Sequence, residues 1–483
     1  MESVFAGLKP EPLWKHFDRI RGIPHCSRHE GPLADYVLAV AGQAGCPARK
    51  DKAGNVVVEK SASPGREGRP TVVLQGHLDM VCEKNADVAH DFSKDPIRVR
   101  IENGWIRAEG TTLGADNGIG MAAALALLED GAVAHGPLEL LFTADEETGL
   151  NGAGKLKSDF LKGRILLNLD SEEEGTFFIG CAGGADSEIA LKIKRLAKTA
   201  GKPFTVSLSG LRGGHSGLDI HTGRGNAVQL LARMLFQLGV PFGLVSLEGG
   251  NKHNAIPREA FARMLLSSRD ESRLKKALAR RFDAIRFENK AVEKDMKLEI
   301  KPDNEFKLKP MDAASRDRFL ALLFSLPHGV AAMSQEIPDL VESSNNLAIV
   351  RCEAGLARIH TSTRSSIASA LEALRAKIEA TAVLAGASIK HMKGYPGWTP
   401  NLDSPLLKTM KAIHVQLTGK EPEIKAVHAG LECGIIGERF SGMDMISFGP
   451  NLKHPHSPDE KAEVESVARF YGLLSATLEA LAS

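Results

Sequence analysis

The sequence predicts an α/β protein, in which a mixed, mainly parallel sheet with helices on both faces is interrupted by an inserted α+β lid domain. Three observations predict this. Between Arg69 and Asp170, short apolar runs that end in polar residues alternate with helical patterns, as strands buried on both faces of a parallel sheet do. From about 186 to 395 the texture changes to half-buried alternation and amphipathic helices, and after "GYPGWTPN" (394–401) the first texture returns. At 483 residues the chain is also too long for one ordinary domain. The expected division is a first domain over 1–185 and 396–483, with a lid or dimerisation domain over 186–395 between its halves.

In chain order, "TVVLQ" (71–75) is a β-branched strand that runs into Gly76-His77-Leu78-Asp79. "GIGMAAALALLEDG" (118–131) has a polar start at Asp116-Asn117 and a glycine stop, so it reads as a helix. "LELLFTA" (138–144) and "RILLNLD" (164–170) are further strands. The segment 202–238 gives a strand, a glycine-rich loop and a long amphipathic helix, and 346–366 alternates like antiparallel strands. A helix over 404–418, a strand over 444–449 and a final amphipathic helix over 459–481 complete the series.

Composition excludes several classes. Lys plus Arg number 61 against 60 acids, a net charge of +1, so no electrostatic case for nucleic acid or an anionic membrane exists. No apolar run approaches the ~18 residues of a membrane span and no secretory signal pattern opens the chain. The six cysteines are scattered without a C-x-x-C pair, which suits reduced, buried thiols and a cytoplasmic location.

The chemistry is written at the strand ends. "ELLFTADEETGLNGAG" (139–154) closes a buried strand on Asp145, Glu146 and Glu147, whose like charges repel. "TVVLQ" delivers His77 and Asp79, whose side chains point the same way on an extended chain, and "RILLNLD" delivers Asp170. In open α/β sheets the ligand crevice lies outside the carboxyl ends of the strands. Asp116 opens a helix behind "GTTLGAD", and His456 follows the strand "DMISFG". Taken singly, each has an ordinary explanation. His-x-Asp at a strand end is usually a hydrogen-bonded loop pair, Asp116 fits a helix cap, and a Glu-Glu turn is usually solvated. Convergence changes the balance, because clustered carboxylates are costly without a cation. One glutamate then ligates, while the other keeps a free carboxylate to take a proton from water. His, Asp and Glu ligands suit zinc, with manganese or cobalt as substitutes, and an acid shared between two ions makes a two-metal site. H-E-x-x-H, G-x-S-x-G and the phosphate-loop pattern are absent.

The strings "GHLDMV" (76–81), "GTTLGADNGIG" (110–120), "ADEETGLNGA" (144–153), "LNLDSEE" (167–173), "GGHSGLDIHTGRGNA" (213–227), "NAIPRE" (254–259), "HAGLECG" (428–434) and "PHSPDE" (455–460) resemble the M20 metallopeptidases, most narrowly their aminoacyl-histidine dipeptidase branch. The resemblance implies two zinc ions bridged by Asp116, with His77 and Asp170 on one and Glu147 and His456 on the other. It makes Glu146 the general base and Asp79 the residue that orients His77, and it implies a cis peptide between Asp116 and Asn117. It also gives His215 to the tetrahedral oxyanion and Asn254 and Arg364 to the substrate's carboxylate. Glu432 is assigned to the substrate's ammonium. The expected function is hydrolysis of unblocked dipeptides, Xaa-His and β-Ala-His among them, by a homodimer. The rivals are an N-acyl-amino-acid deacylase or carboxypeptidase of the same superfamily and, from another class, a silent scaffold. Intact metal and base positions count against the scaffold.

Overall fold

Val72, Val73 and Leu74 are almost completely buried, as are Leu140, Leu141 and Phe142 and the pair Leu166 and Leu167. These three runs form neighbouring parallel strands, Val72–His77 between Leu138–Thr143 and Ile165–Asn168, and Asp444–Ser447 joins parallel to Ile165–Asn168. The computed structural model describes residues 3–197, 200–304 and 306–483. The chain packs as two units, one of residues 1–181, 398–426 and 431–483, the other of 182–397 and 427–430. Segment 427–430, which the sequence reading left in the first domain, packs with the second.

The first unit's eight-stranded sheet runs Ala48–Lys50, Val56–Lys60, Leu138–Thr143, Val72–His77, Ile165–Asn168, Asp444–Ser447, Thr176–Cys181, Glu423–Val427. Its four central strands are parallel, while Val56–Lys60 and Thr176–Cys181 join antiparallel on either side. Parallel pairing puts the carboxyl ends of the central strands on one edge, where His77, Glu146–Glu147, Asp170 and the 448–460 loop emerge. A separate four-stranded sheet contains Lys461–Glu463 beside Trp105–Ala108. The final helix therefore begins at Val464, not at 459.

Helix Ala115–Glu129 lies against Val72–His77 and Glu11–Ile20. Its close approach depends on Gly76 and Gly120. A Cβ on Gly76 would come within 2.1 Å of Asn117 Oδ1, and one on Gly120 within 2.4 Å of the Leu169 carbonyl. The space lets Asn117 donate to the Leu169 carbonyl at 2.7 Å, pressing the Asp116 loop onto the strand ends. The Asp116–Asn117 peptide is cis.

The cysteines depart from expectation. Cys26 and Cys82 are disulfide-bonded, their Cα atoms 5.7 Å apart across 56 residues. Met80 donates its N–H to the His25 carbonyl, which aligns the two segments. Long-range pairing of this kind leaves no mark in cysteine spacing. Cys181, Cys352 and Cys433 are free and buried, as expected, while Cys46 is free and partly exposed.

The second unit is built on a nine-stranded sheet, antiparallel in its described pairs. Along Lys202–Ser209 and Ala260–Leu266 alternate residues are buried, and they pack with helices Ala227–Leu235, Glu271–Asn289, Ala313–Ser325 and Ala368–Leu384 into one core. Val341–Cys352 and Leu356–Ser365 pair antiparallel, and the helix after the glycine-rich loop has only 9 residues. Among the described residues no helix is long and apolar enough to cross a membrane.

Candidate active site

His77 ends its strand with 1% exposure. Its Nδ1–H donates to the Asp79 carbonyl at 2.9 Å, which turns Nε2 toward Asp116 Oδ1 at 3.1 Å and Asp170 Oδ1 at 3.3 Å. Across Asp116, His456 Nε2 lies 3.2 Å from Oδ2 and 3.1 Å from Glu147 Oε2. His77, Asp116 and Asp170 thus form one group with the spacing of an ion's ligands, and Asp116, Glu147 and His456 form a second. Asp116 belongs to both. Glu146 belongs to neither but makes a third such group with His77 and Glu147, one of its carboxylate oxygens lying within 4.8 Å of ligand atoms on both.

The Glu146–Glu147 turn is held from below. Asp79 Oδ1 accepts the Glu146 N–H at 2.9 Å, and Oδ2 accepts the Glu147 N–H at 3.2 Å and the Ser27 hydroxyl at 2.8 Å. Glu30 accepts the Asp145 N–H at 3.0 Å, where Asp145 has a left-handed φ of 52°. Sequence reading gave Asp79 to His77 alone. The structure adds the backbone of both glutamates, a task invisible in spacing because the donors lie 67 and 68 residues away.

Four acids against two imidazoles leave an excess of negative charge. Burial alone would lower the His77 pKa, but Asp170, Asp116 and Asp79 lift it well above its ordinary value. Hydrogen bonds to Asp116 and Glu147 push His456 up to about 11. Burial and repulsion by Asp116 and Glu147 raise Asp170 to about 6 against the pull of His77. Glu147 Oε1 and Asp170 Oδ1 are buried without a hydrogen-bond partner. Acceptor oxygens with no donor, beside imidazole nitrogens, fit divalent cations. A further acidic trio, Glu30, Asp79 and Asp145, is occupied by the hydrogen bonds just described.

The sequence reading gave Glu432 to the substrate's ammonium. Its carboxylate is 2% exposed and accepts from Gln75 Nε2 and Thr143 Oγ1, both at 2.6 Å. Gln75 in turn accepts from Asn168. The carboxylate belongs to a buried network under the strand ends, bound through Oε2 while Oε1 has no hydrogen-bond partner. His454, two residues before His456, is exposed.

In the second unit, Gly214–His215 pairs antiparallel with Ala255–Ile256, and the Ser216 N–H donates to the Asn254 carbonyl at 2.8 Å. Ile220, Ile256 and Val341 pack beneath the loop. His215 Nδ1 accepts the N–H groups of Gly217 and Leu218 at 3.2 and 3.0 Å, which leaves the ring proton on Nε2. Burial, then the Arg364 charge, lowers its pKa, so the ring is a neutral Nε2–H donor. Arg364 is 7% exposed; Nη1 donates to the Tyr395 hydroxyl at 2.8 Å and Nε has no hydrogen-bond partner. The Asn254 side chain is exposed.

His428 lies close to this group and was not singled out from "HAGLECG". Its carbonyl would be 2.2 Å from a Cβ on Gly217, so that glycine lets segment 427–430 approach the His215 loop. His428 Nε2 is 2.7 Å from Ser344 Oγ, and Nδ1 is buried without a partner. Burial, reinforced by Arg364, lowers its pKa to about 3. A histidine held neutral in the folded state and titrating near 6.5 when unfolded binds more protons unfolded, so its contribution is complete above 6.5 and is lost as pH falls toward 3. Wild-type protein should lose about 2 kcal/mol more than His428→Gln between pH 6.5 and 5 in urea unfolding. Parallel pH profiles for the two proteins would refute the assignment.

Strand-end carboxylates and imidazoles grouped at ion-ligand spacing on a mixed α/β sheet define the class, a hydrolase with a metal-binding centre. The chain belongs to peptidase family M20/M25/M40, whose profile matches residues 73–480. It is 43% identical over 481 residues to the cytosol non-specific dipeptidase of Escherichia coli (strain K12), covering 99% of each chain. It matches the crystal structure of aminoacylhistidine dipeptidase from Vibrio alginolyticus with a TM-score of 0.92 and 42% identity, over 99% of this chain and 98% of that one. An aminopeptidase from Bacillus cereus ATCC 10987, 16% identical with a TM-score of 0.58 over 99% of this chain and 100% of that one, shares the fold.

Proposed function

We propose that this chain is a two-metal dipeptidase of the cytoplasm that hydrolyses unblocked dipeptides, Xaa-His and β-Ala-His among them. Zinc is the expected metal, two ions per subunit, with manganese or cobalt as substitutes, and the assembly is a homodimer. The observation that carries this reading is Asp116, the shared member of two ligand groups, with Glu146 beside both and in neither. The names of the two full-length relatives, both dipeptidases, support the substrate class, and the first supports the compartment.

His77, Asp116 and Asp170 would hold one ion and Asp116, Glu147 and His456 the other. When bound, such a pair acidifies a water and polarises a carbonyl. Glu146 takes the proton from the attacking water and delivers it to the leaving amine. Asp79 keeps the Glu146–Glu147 turn fixed through its two backbone N–H groups. His215 donates its Nε2–H to the developing oxyanion. Arg364, with Asn254, receives the substrate's carboxylate, a job suited to a planar guanidinium.

The test is amine release from β-Ala-His, Gly-His, Ala-Leu and N-acetyl-His by metal-depleted and zinc- or manganese-restored protein. Metal-dependent cleavage of the free dipeptides is the expected result. Cleavage of N-acetyl-His alone would make the chain a deacylase, and no turnover by metal-loaded protein would make it a scaffold.

A further inference from the structure

The loop that carries His456 also carries a buried acid with no part in the scheme above. Glu460 is 2% exposed, and its carboxylate accepts four backbone N–H groups from one stretch of chain. Oε2 takes those of Leu113 and Gly114 at 2.7 and 3.1 Å, and Oε1 takes those of Ala115 and Asp116 at 2.9 and 3.3 Å. The helix that starts there leaves its first N–H groups without intrahelical partners, and a carboxylate is the side chain that offers acceptors on two oxygens and no donor.

The placement matters more than the capping. Gly114 has φ 70°, and Asp116 departs from helical geometry at φ −84°, ψ 108°, so the backbone bearing the shared carboxylate is not fixed by the helix itself. Four residues before Glu460, His456 reaches Asp116 Oδ2 and Glu147 Oε2. One loop therefore touches the Asp116 side chain through His456 and grips the Asp116 backbone through Glu460.

We propose that Glu460 is a positioning residue that sets Asp116 against His456, so that the two ligand groups share one carboxylate in the right orientation. The proposal rests on the two-ion reading above. Glutamine at this position turns an amide donor toward two of the four N–H groups. Aspartate keeps the charge but shortens the arm by one carbon.

The experiment titrates metal-depleted wild type, Glu460→Gln and Glu460→Asp with Zn2+ by calorimetry. The visible spectrum of Co2+-loaded protein is recorded, along with circular dichroism and melting of the apoproteins. Wild type should bind two ions. Folded E460Q should bind the pair about 10- to 100-fold more weakly, the range typical of outer partners of metal ligands, with an altered Co2+ spectrum and a fall in kcat larger than any change in KM. E460D should recover part of the affinity. If E460Q does not fold, E460D carries the test and must still bind more weakly than wild type. Wild-type affinity and Co2+ spectrum in either folded variant, with only a lower apoprotein melting temperature, would reduce Glu460 to a helix cap and overturn the proposal. Fewer than two ions on wild type would instead overturn the two-ion reading.

Discussion

Replacing Glu146 by glutamine lowers kcat by about 10²- to 10⁴-fold, the usual contribution of a general acid–base, while the protein still binds as many ions as wild type. The geometry separates the two properties. Glu146 lies outside both groups that contain Asp116, though it makes a third with His77 and Glu147, so the two groups that share Asp116 are complete without its charge. Its backbone is fixed by Asp79 Oδ1, an interaction that glutamine leaves intact, so the neighbouring Glu147 keeps its place. Burial, against the pull of His77 and with Asp170, Glu432 and Glu147 nearby, raises the Glu146 pKa well above the ordinary carboxylate range. The check is kcat on Gly-His at saturating metal beside ion content by elemental analysis. A variant that keeps its kcat removes Glu146 from the mechanism; one that loses an ion makes it a ligand.

The clustering of His77, Asp116, Glu147, Asp170 and His456 was legible because they follow strands or open a helix within short strings, and parallel pairing carries strand ends to one edge of the sheet. The supports of that set were not. Ser27 donates to the Asp79 carboxylate 52 residues away, Glu30 and Glu460 accept backbone N–H groups 115 and 347 residues away, and no periodicity or spacing encodes a carboxylate's choice of partner. Glu460 lies in "PHSPDE", a string that His456 alone accounts for. Glu432 shows the same limit, since its family string gives no sign that Gln75 and Thr143 hold one of its oxygens in a buried network. The antiparallel flanks of the first sheet escaped for a similar reason. Val56, Val57 and Val58 are as fully buried as the central strands, so apolar content could not reveal their direction.

Changing Asp116 to asparagine should cost more than changing any other single ligand, because its two oxygens serve different partners. Oδ1 faces His77 and Oδ2 faces His456, so one neutral amide removes charge from both ligand groups at once. His456→Asn, by contrast, leaves His77, Asp116 and Asp170 together, and His77→Asn leaves Asp116, Glu147 and His456. D116N should therefore hold fewer than two ions even in excess metal and fall below about one-thousandth of wild-type turnover, at least as far as loss of the general base takes it. Each histidine variant should keep one tight ion. Asparagine has nearly the shape of aspartate, and Glu460 and Asn117 bind by contacts that do not use the Asp116 side chain, so the fold survives and the loss is specific to the centre. Ion content and turnover measured together decide it. If D116N retains two ions while H456N loses one, Asp116 is not the shared ligand, and the two groups are separate sites that meet only by proximity.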